Sequence, residues 1–251
     1  MNDSYFHIAT IPGDGIGKDI INSAISIVNL SSEIIGGFKC EWESIKAGAE
    51  YYSLTGKDVE PGGEKKIEEL DSIFLGAIGL PTIRYKDGTE ICPHLRFREV
   101  FGLYAGVRPV KAYKNIPNRL SNELSSKIDL VILRESTEGL FYTAAVHDRC
   151  PVENDEEVQD IMRITRANTE KLHDYAFKLA GQRKKKGKLG KVTCVDKANV
   201  FKSQAFFRKI FDERKVQFKD IKADHCYVDA MALNLVRTPW EYDVMVMENM
   251  F

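Results

Sequence analysis

The sequence predicts an α/β fold built on a largely parallel sheet, and two observations carry this. Short apolar runs at 6–11, 72–78, 129–133, 191–195 and 244–247 alternate with longer segments whose apolar residues recur at helical spacing. Several of these runs give way to a helix through glycine or a charged turn, as at Pro12-Gly13-Asp14-Gly15 and Asp196-Lys197-Ala198-Asn199.

Taken in order, the strand at 6–11 leads into a helix starting near Ile16-Gly17, with Ile20, Ile21, Ala24, Ile27 and Val28 on its apolar face. Phe38, Cys40 and Trp42 alternate with polar neighbours, which marks a strand. Residues 72–78 read as a buried strand, 84–90 as a polar loop, 107–110 and 129–133 as further strands, and 139–152 as extended and irregular. The longest helix is expected over 155–181, with Val158, Ile161, Met162, Thr165, Leu172, Ala176 and Leu179 on one face and acids at its start, where they suit the helix dipole. Strand 191–195, helix 200–212, strand 222–228, helix 229–236 and strand 244–247 follow. A seam around 105–110 divides the chain into 1–105 and 106–251.

A chain of 251 residues holds one large domain or two modest ones. With 36 basic against 37 acidic residues, nothing favours general nucleic-acid or membrane-surface binding. The basic run Arg183–Lys188 reads as solvated cations near a helix C-terminus. Five cysteines without a Cys-x-x-Cys pair suit free thiols in a reducing compartment. No stretch reaches the roughly 20 apolar residues of a membrane span, so a cytoplasmic protein is expected.

Chemistry gathers at predicted strand ends, where ligands bind in open α/β sheets. Arg134 ends a strand, and Arg98 and Arg108 straddle the seam. Arginine suits bidentate carboxylate recognition, although singly each also fits a surface ion pair. Lys197 follows a strand at the same rim, where burial or nearby cations would let it act as a base. Asp229 follows another strand; one carboxylate is not a metal site, and alone it fits a helix N-cap. The glycine turn at 13–18 matches neither Gly-x-Gly-x-x-Gly nor the Walker pattern. The histidines form no metal-spaced cluster, and His147, His173 and His225 read as ordinary polar or half-buried residues.

These pieces occur in one order: Ile11-Pro12-Gly13-Asp14-Gly15-Ile16-Gly17, Leu103-Tyr104-Ala105-Gly106-Val107-Arg108-Pro109-Val110, Arg134-Glu135-Ser136-Thr137-Glu138-Gly139, Val195-Asp196-Lys197-Ala198-Asn199-Val200, Val228-Asp229-Ala230-Met231-Ala232 and Glu248-Asn249-Met250-Phe251. Over essentially its whole length the chain resembles the isocitrate/isopropylmalate dehydrogenase family, which includes tartrate and D-malate dehydrogenases. The resemblance implies a two-domain, non-Rossmann α/β fold and metal-dependent oxidation and decarboxylation of a malate-like 2-hydroxy acid. NAD or NADP would accept the hydride, and Mg2+ or Mn2+ would be chelated by the substrate. By position, Arg98, Arg108 and Arg134 would hold carboxylates, Lys197 would take the hydroxyl proton, and Asn199 would lie near substrate and nicotinamide. His94, Leu95 and Val200 would line the substrate's side-chain pocket, Ile11 and Gly13 would approach the cofactor, and Asp229 would bind metal. The resemblance also implies a homodimer with shared sites, in which 139–152 is the arm that clasps the partner.

Three features depart from the family pattern. The chain stops at Phe251, before the Gly-Asp-x-x-Ser-Asp stretch that completes the metal site and the segment that reads the adenosine. An incomplete first domain with exposed apolar surface, and little or no turnover from the chain alone, are therefore expected. The family's proton-donating tyrosine falls on Phe141, seven residues after Arg134, with Tyr142 beside it. Ile91-Cys92-Pro93-His94 matches neither isopropylmalate nor isocitrate pockets, so the acid is left open. The alternative reading is a non-catalytic subunit that dimerises with a catalytic relative.

Overall fold

The computed structural model describes residues 3–113, 115–117, 120–144 and 150–251. The chain divides into two units, Met1–Phe101 and Gly102–Phe251. This boundary precedes the expected one because Ala105 already pairs with Glu135 in the second unit's sheet.

The first unit comprises β1 (Ser4–Gly13), α1 (Gly17–Ile35), β2 (Phe38–Ser44), α2 (Ala49–Thr55), α3 (Gly63–Glu68), β3 (Ser72–Ala77) and α4 (Pro93–Val100). Its sheet runs β2-β1-β3, all parallel. Ala9, Ile11, Ile45, Val59, Ile67 and Phe97 form its core. The turn from β1 into α1 is glycine-rich because backbones nearly touch there. A Cβ on Gly17 would lie 2.2 Å from the Pro12 carbonyl oxygen, and one on Gly13, at φ +71°, would lie 2.0 Å from that of Ala77. Between them Asp14 is buried, and its carboxylate accepts the N–H groups of Ala49 (2.9 Å), Glu50 (2.8 Å) and Gly79 (2.7 Å). One side chain thus caps α2 and ties it to the segment after β3. The apolar exposure expected of this segment is present: Ile16, Ile20, Ile27, Leu30 and Ile34 are all exposed.

The second unit comprises β4 (Ala105–Lys111), β5 (Asp129–Glu135), α5 (Phe141–Ala144), β6 (Val152–Glu153), β7 (Val158–Gln159), α6 (Arg166–Lys185), β8 (Lys191–Asp196), α7 (Lys202–Lys215), β9 (Lys222–Tyr227), α8 (Val228–Arg237) and β10 (Val244–Met247). The main sheet runs β4-β5-β10-β8-β9, with β4 antiparallel to β5 and the other pairs parallel. Side chains alternate across it. Val131, Leu133, Val192, Cys194, Val244 and Val246 pack with Leu172, Phe177, Phe207 and Phe211 of α6 and α7. On the other face Leu130, Val195, Met245 and Met247 pack with Met231 of α8. Each large side chain so buried contributes about 1.5–3 kcal/mol. Among the described residues, no helix is long and apolar enough to cross a membrane, and all five cysteines are free.

The expected helix over 155–181 begins only at Arg166. The Asn154 side chain accepts the N–H groups of Glu156 (2.8 Å) and Glu157 (2.9 Å), folding a turn that joins β6 to β7 in a short antiparallel hairpin. Val158 is accordingly 65% exposed rather than on a core-facing stripe. The helix expected over 200–212 runs Lys202–Lys215, because the Val200 and Phe201 N–H groups first close a turn on the Lys197 carbonyl. Of the expected arm, 141–144 is helical rather than extended, Cys150 to Val152 lead into β6, and 145–149, with His147, lie outside the described residues.

The basic run is not simply solvated. Arg183 pairs with buried Asp243 (2.5 Å) and with Asp129 (2.9 Å), while Lys188 reaches Asp129 at 2.6 Å. His173 is fully buried, edge-on to Phe207 with centroids 4.5 Å apart, and neither ring nitrogen has a hydrogen-bond partner among the described residues. Burial first, then the charge of Arg214, pushes its pKa down to about 3. The unfolded chain therefore takes up this proton first as pH falls below about 6.5. The stability held by neutral His173 is complete above that value and declines by about 1.4 kcal/mol per pH unit on the way down. His173→Phe is expected to remove one proton's worth of this acid sensitivity while changing stability at pH 7 by no more than about 1 kcal/mol. Urea titrations between pH 7 and pH 4.5 read the slope, and an unchanged slope contradicts the assignment.

Candidate active site

Within the first unit, α4 places His94 and Arg98 one turn apart on the same helix face, with Leu95 beside them. Burial, then the Arg98 charge, holds His94 below its usual pKa. Ile11 is 0% exposed, and its side chain packs in the core of the first unit. At Gly13 the space a Cβ would fill holds the Ala77 carbonyl. The glycine turn therefore serves chain packing and is not by itself a dinucleotide cradle. Sequence reasoning passed over Arg96, whose guanidinium binds Asp58 (2.8 Å) and Glu64 (2.7 Å). Asp58 also accepts the Tyr85 hydroxyl at 2.9 Å, which anchors the polar loop.

Within the second unit, strand register decides which candidates meet. Arg134 pairs with Gly106 and Arg108 with Ile132, so both arginines project from one face. That face is the one α8 covers. Arg134 is half-buried and Arg108 exposed. Continuing the alternation of β8 puts Lys197 on this face too. Leu133, Val246 and Cys194 lie in one row across the sheet, and Lys197 lies further along than Arg134 and two strands over. The two backbones are thus about 12 Å apart, a gap their long side chains can share with a small dicarboxylate. Asn199 and Val200, in the turn before α7, are exposed.

Asp229 lies in the first turn of α8, whose N-cap is Tyr227, so Asp229 is not the cap. It pairs with Lys197 within the same chain, and this hydrogen bond holds its carboxyl below the usual range. Among the described residues no group of three His, Cys, Asp or Glu could hold a metal ion. One exposed carboxylate, here paired to Lys197, is not by itself a complete site for a hard divalent cation, which takes six or more oxygens.

Tyr142 sits in α5, with the Arg163 guanidinium 4.7 Å from its ring centroid. In a helical turn successive side chains point about 100° apart, so Tyr142 and Phe141 face different directions.

Acids at strand ends form the scaffold that sequence reasoning left without roles. Glu135 accepts the N–H groups of Thr137 (2.8 Å) and Glu138 (2.6 Å), and burial raises its pKa. Glu138 accepts the Thr165 N–H (2.7 Å) and hydroxyl (2.5 Å), capping α6 from β5. Asn249 donates to the Glu138 carbonyl at 3.0 Å, joining the ends of β10 and β5.

A family model described as isocitrate/isopropylmalate dehydrogenase matches residues 7–251. The 3-isopropylmalate/3-methylmalate dehydrogenase of Methanocaldococcus jannaschii is 35% identical over 246 residues, covering 97% of this chain and 67% of that protein. The 3-isopropylmalate dehydrogenase of Heyndrickxia coagulans is 34% identical over 253 residues, covering 97% and 66%. Among solved structures, isocitrate dehydrogenase from Methylococcus capsulatus superposes with a TM-score of 0.79 at 28% identity, covering 98% of this chain and 67% of that one. The chain spans about two thirds of the length of the curated relatives it matches. By family match, identity and fold together, the chain belongs to the isocitrate/isopropylmalate dehydrogenase family.

Proposed function

We propose that this chain carries the carboxylate-holding and proton-accepting groups of an enzyme that oxidises and decarboxylates a malate-type 2-hydroxy acid. A 3-alkylmalate is the first choice, in keeping with the names of its relatives. The observation that carries the reading is the placement of Arg134 and Lys197 at strand ends on one sheet face, with Arg108 on the same face. Guanidinium groups there hold carboxylates in bidentate fashion, and pre-placement of the acid lowers the entropic part of the barrier. The Lys197 amine takes the C2 hydroxyl proton as hydride leaves for NAD+ or NADP+. Asn199 orients the substrate, Val200 meets its side chain, and Tyr142 returns a proton to the enol. Mg2+ or Mn2+ is proposed as the metal, with Asp229 as one ligand.

The protein is further proposed to work as a homodimer, supported by exposed Val200, Phe201, Leu233 and Val236 in the second unit. A monomeric mass by light scattering at micromolar concentration would contradict this.

The function is tested on the product of the complete reading frame. NAD(P)+ reduction is followed with 3-isopropylmalate, isocitrate, D-malate and tartrate, each with and without Mg2+ or Mn2+. Turnover of one acid that needs the cation supports the reading. Absence of turnover with all four favours the non-catalytic subunit, a reading to which Phe141 at the tyrosine position lends some weight.

A further inference from the structure

Asp196, the last residue of β8, is fully buried, and both its oxygens are engaged. One accepts the Ala198 N–H at 2.8 Å and Arg208 Nη2 at 2.7 Å; the other accepts Arg208 Nε at 2.7 Å and faces the Cys194 thiol at 3.7 Å. Arg208 belongs to α7. Its guanidinium lies over the Tyr227 ring, with Cζ 4.9 Å from the centroid. Tyr227 is the register partner of Asp196 on β9 and the N-cap of α8, two residues before Asp229. One planar cation therefore grips two turns at once. Through Asp196 it sets the turn that carries Lys197, and through Tyr227 it sets the start of the helix that carries Asp229.

A fork of two parallel hydrogen bonds fixes both distance and plane, and the face of the same group remains free to stack. Lysine can neutralise Asp196, but it cannot make the fork. If Arg208 served only to neutralise a buried carboxylate, lysine would suffice.

We propose that Arg208 is a positioning residue whose fork on Asp196 and cation–π contact with Tyr227 hold the Lys197 amine in register with Asp229. The catalytic meaning of this rests on Lys197 being the proton acceptor, but the geometric claim does not.

The test separates the two. The protein, Arg208→Lys and Tyr227→Leu are each treated with a trace of an amine-acetylating reagent, and acetylation at Lys197 is measured by peptide mass spectrometry. Exposed Lys65 and Lys219 serve as internal references. With the register lost, the amine leaves Asp229, and its acetylation rate in Arg208→Lys is expected to rise at least threefold while the references stay constant. Tyr227→Leu keeps the fork and removes only the ring, so a smaller rise at Lys197 alone is expected. An unchanged Lys197 rate in both variants overturns the proposal, as does a rise shared by Lys65 and Lys219, which reports general loosening. None of this needs turnover, so failure of the proposed reaction and failure of the positioning role are read independently. In the active protein, Arg208→Lys is expected to lower kcat about 100-fold with KM for the acid within twofold, because a misplacement of about 1 Å has that cost. An equal rise in KM would instead place Arg208 in substrate binding and overturn the role assigned here.

Discussion

Asp14→Ala is expected to destabilise the first unit by on the order of 4 kcal/mol, the largest stability effect we anticipate from any single substitution in it. The carboxylate is 2% exposed and is the acceptor for three backbone N–H groups drawn from α2 and from the segment after β3. Hydrogen bonds to a charged acceptor are worth about 1.5–3 kcal/mol each, and donors left buried without a partner add their desolvation cost. The surrounding turn cannot close up to compensate, since Gly13 and Gly17 already lie against β3 backbone. Trp42 lies in this unit and Trp240 in the other, so urea unfolding followed by Trp42 fluorescence in a Trp240→Phe background isolates the effect. A loss below about 1 kcal/mol would show that Asp14 is not what holds these segments together.

Lys197→Met is expected to lower kcat about 1,000-fold in the complete protein, with KM for the acid nearly unchanged. A positioned general base contributes about 100- to 10,000-fold, and methionine keeps the length of the side chain without the amine. Because Lys197 pairs with Asp229 while the groups proposed to hold the carboxylates are arginines, its loss should leave acid binding in place. A KM effect of the same size as the kcat effect would assign Lys197 to binding instead. The same assay decides the role of Tyr142: Tyr142→Phe keeps the ring against Arg163 and removes only the hydroxyl, so unchanged turnover would take Tyr142 out of the mechanism.

Much of this was legible in the sequence, for identifiable reasons. The buried strands β5, β8 and β10 are continuous apolar runs, and their ends carry Arg134, Lys197 and Glu248 as the alternation of strand and helix requires. Where the expectation failed, short-range polar chemistry overrode periodicity. The apolar spacing of Val158, Ile161 and Met162 imitates a helix, but the Asn154 side chain turns the chain into a hairpin first. Asp14, Asp196, Glu138 and Asp243 were unreadable for another reason. Their partners are backbone N–H groups and arginines 12 to 65 residues away or close neighbours in a turn, and no spacing rule points to them. The one available signal was an acid directly at a strand end followed by a turn. His173 was misjudged because a histidine on an apolar helix stripe looks the same in sequence whether its nitrogens are satisfied or not.

In the reaction proposed above, one malate-type acid loses a hydride and carbon dioxide in the same turnover. The most direct measurement follows NAD(P)H by absorbance and carbon dioxide by trapping in a single reaction, using the complete protein and the acid it accepts best. Equal molar yields of the two products, and loss of both together in Lys197→Met, are expected. NAD(P)H without carbon dioxide, or no product from any of the four acids, would contradict the proposed reaction.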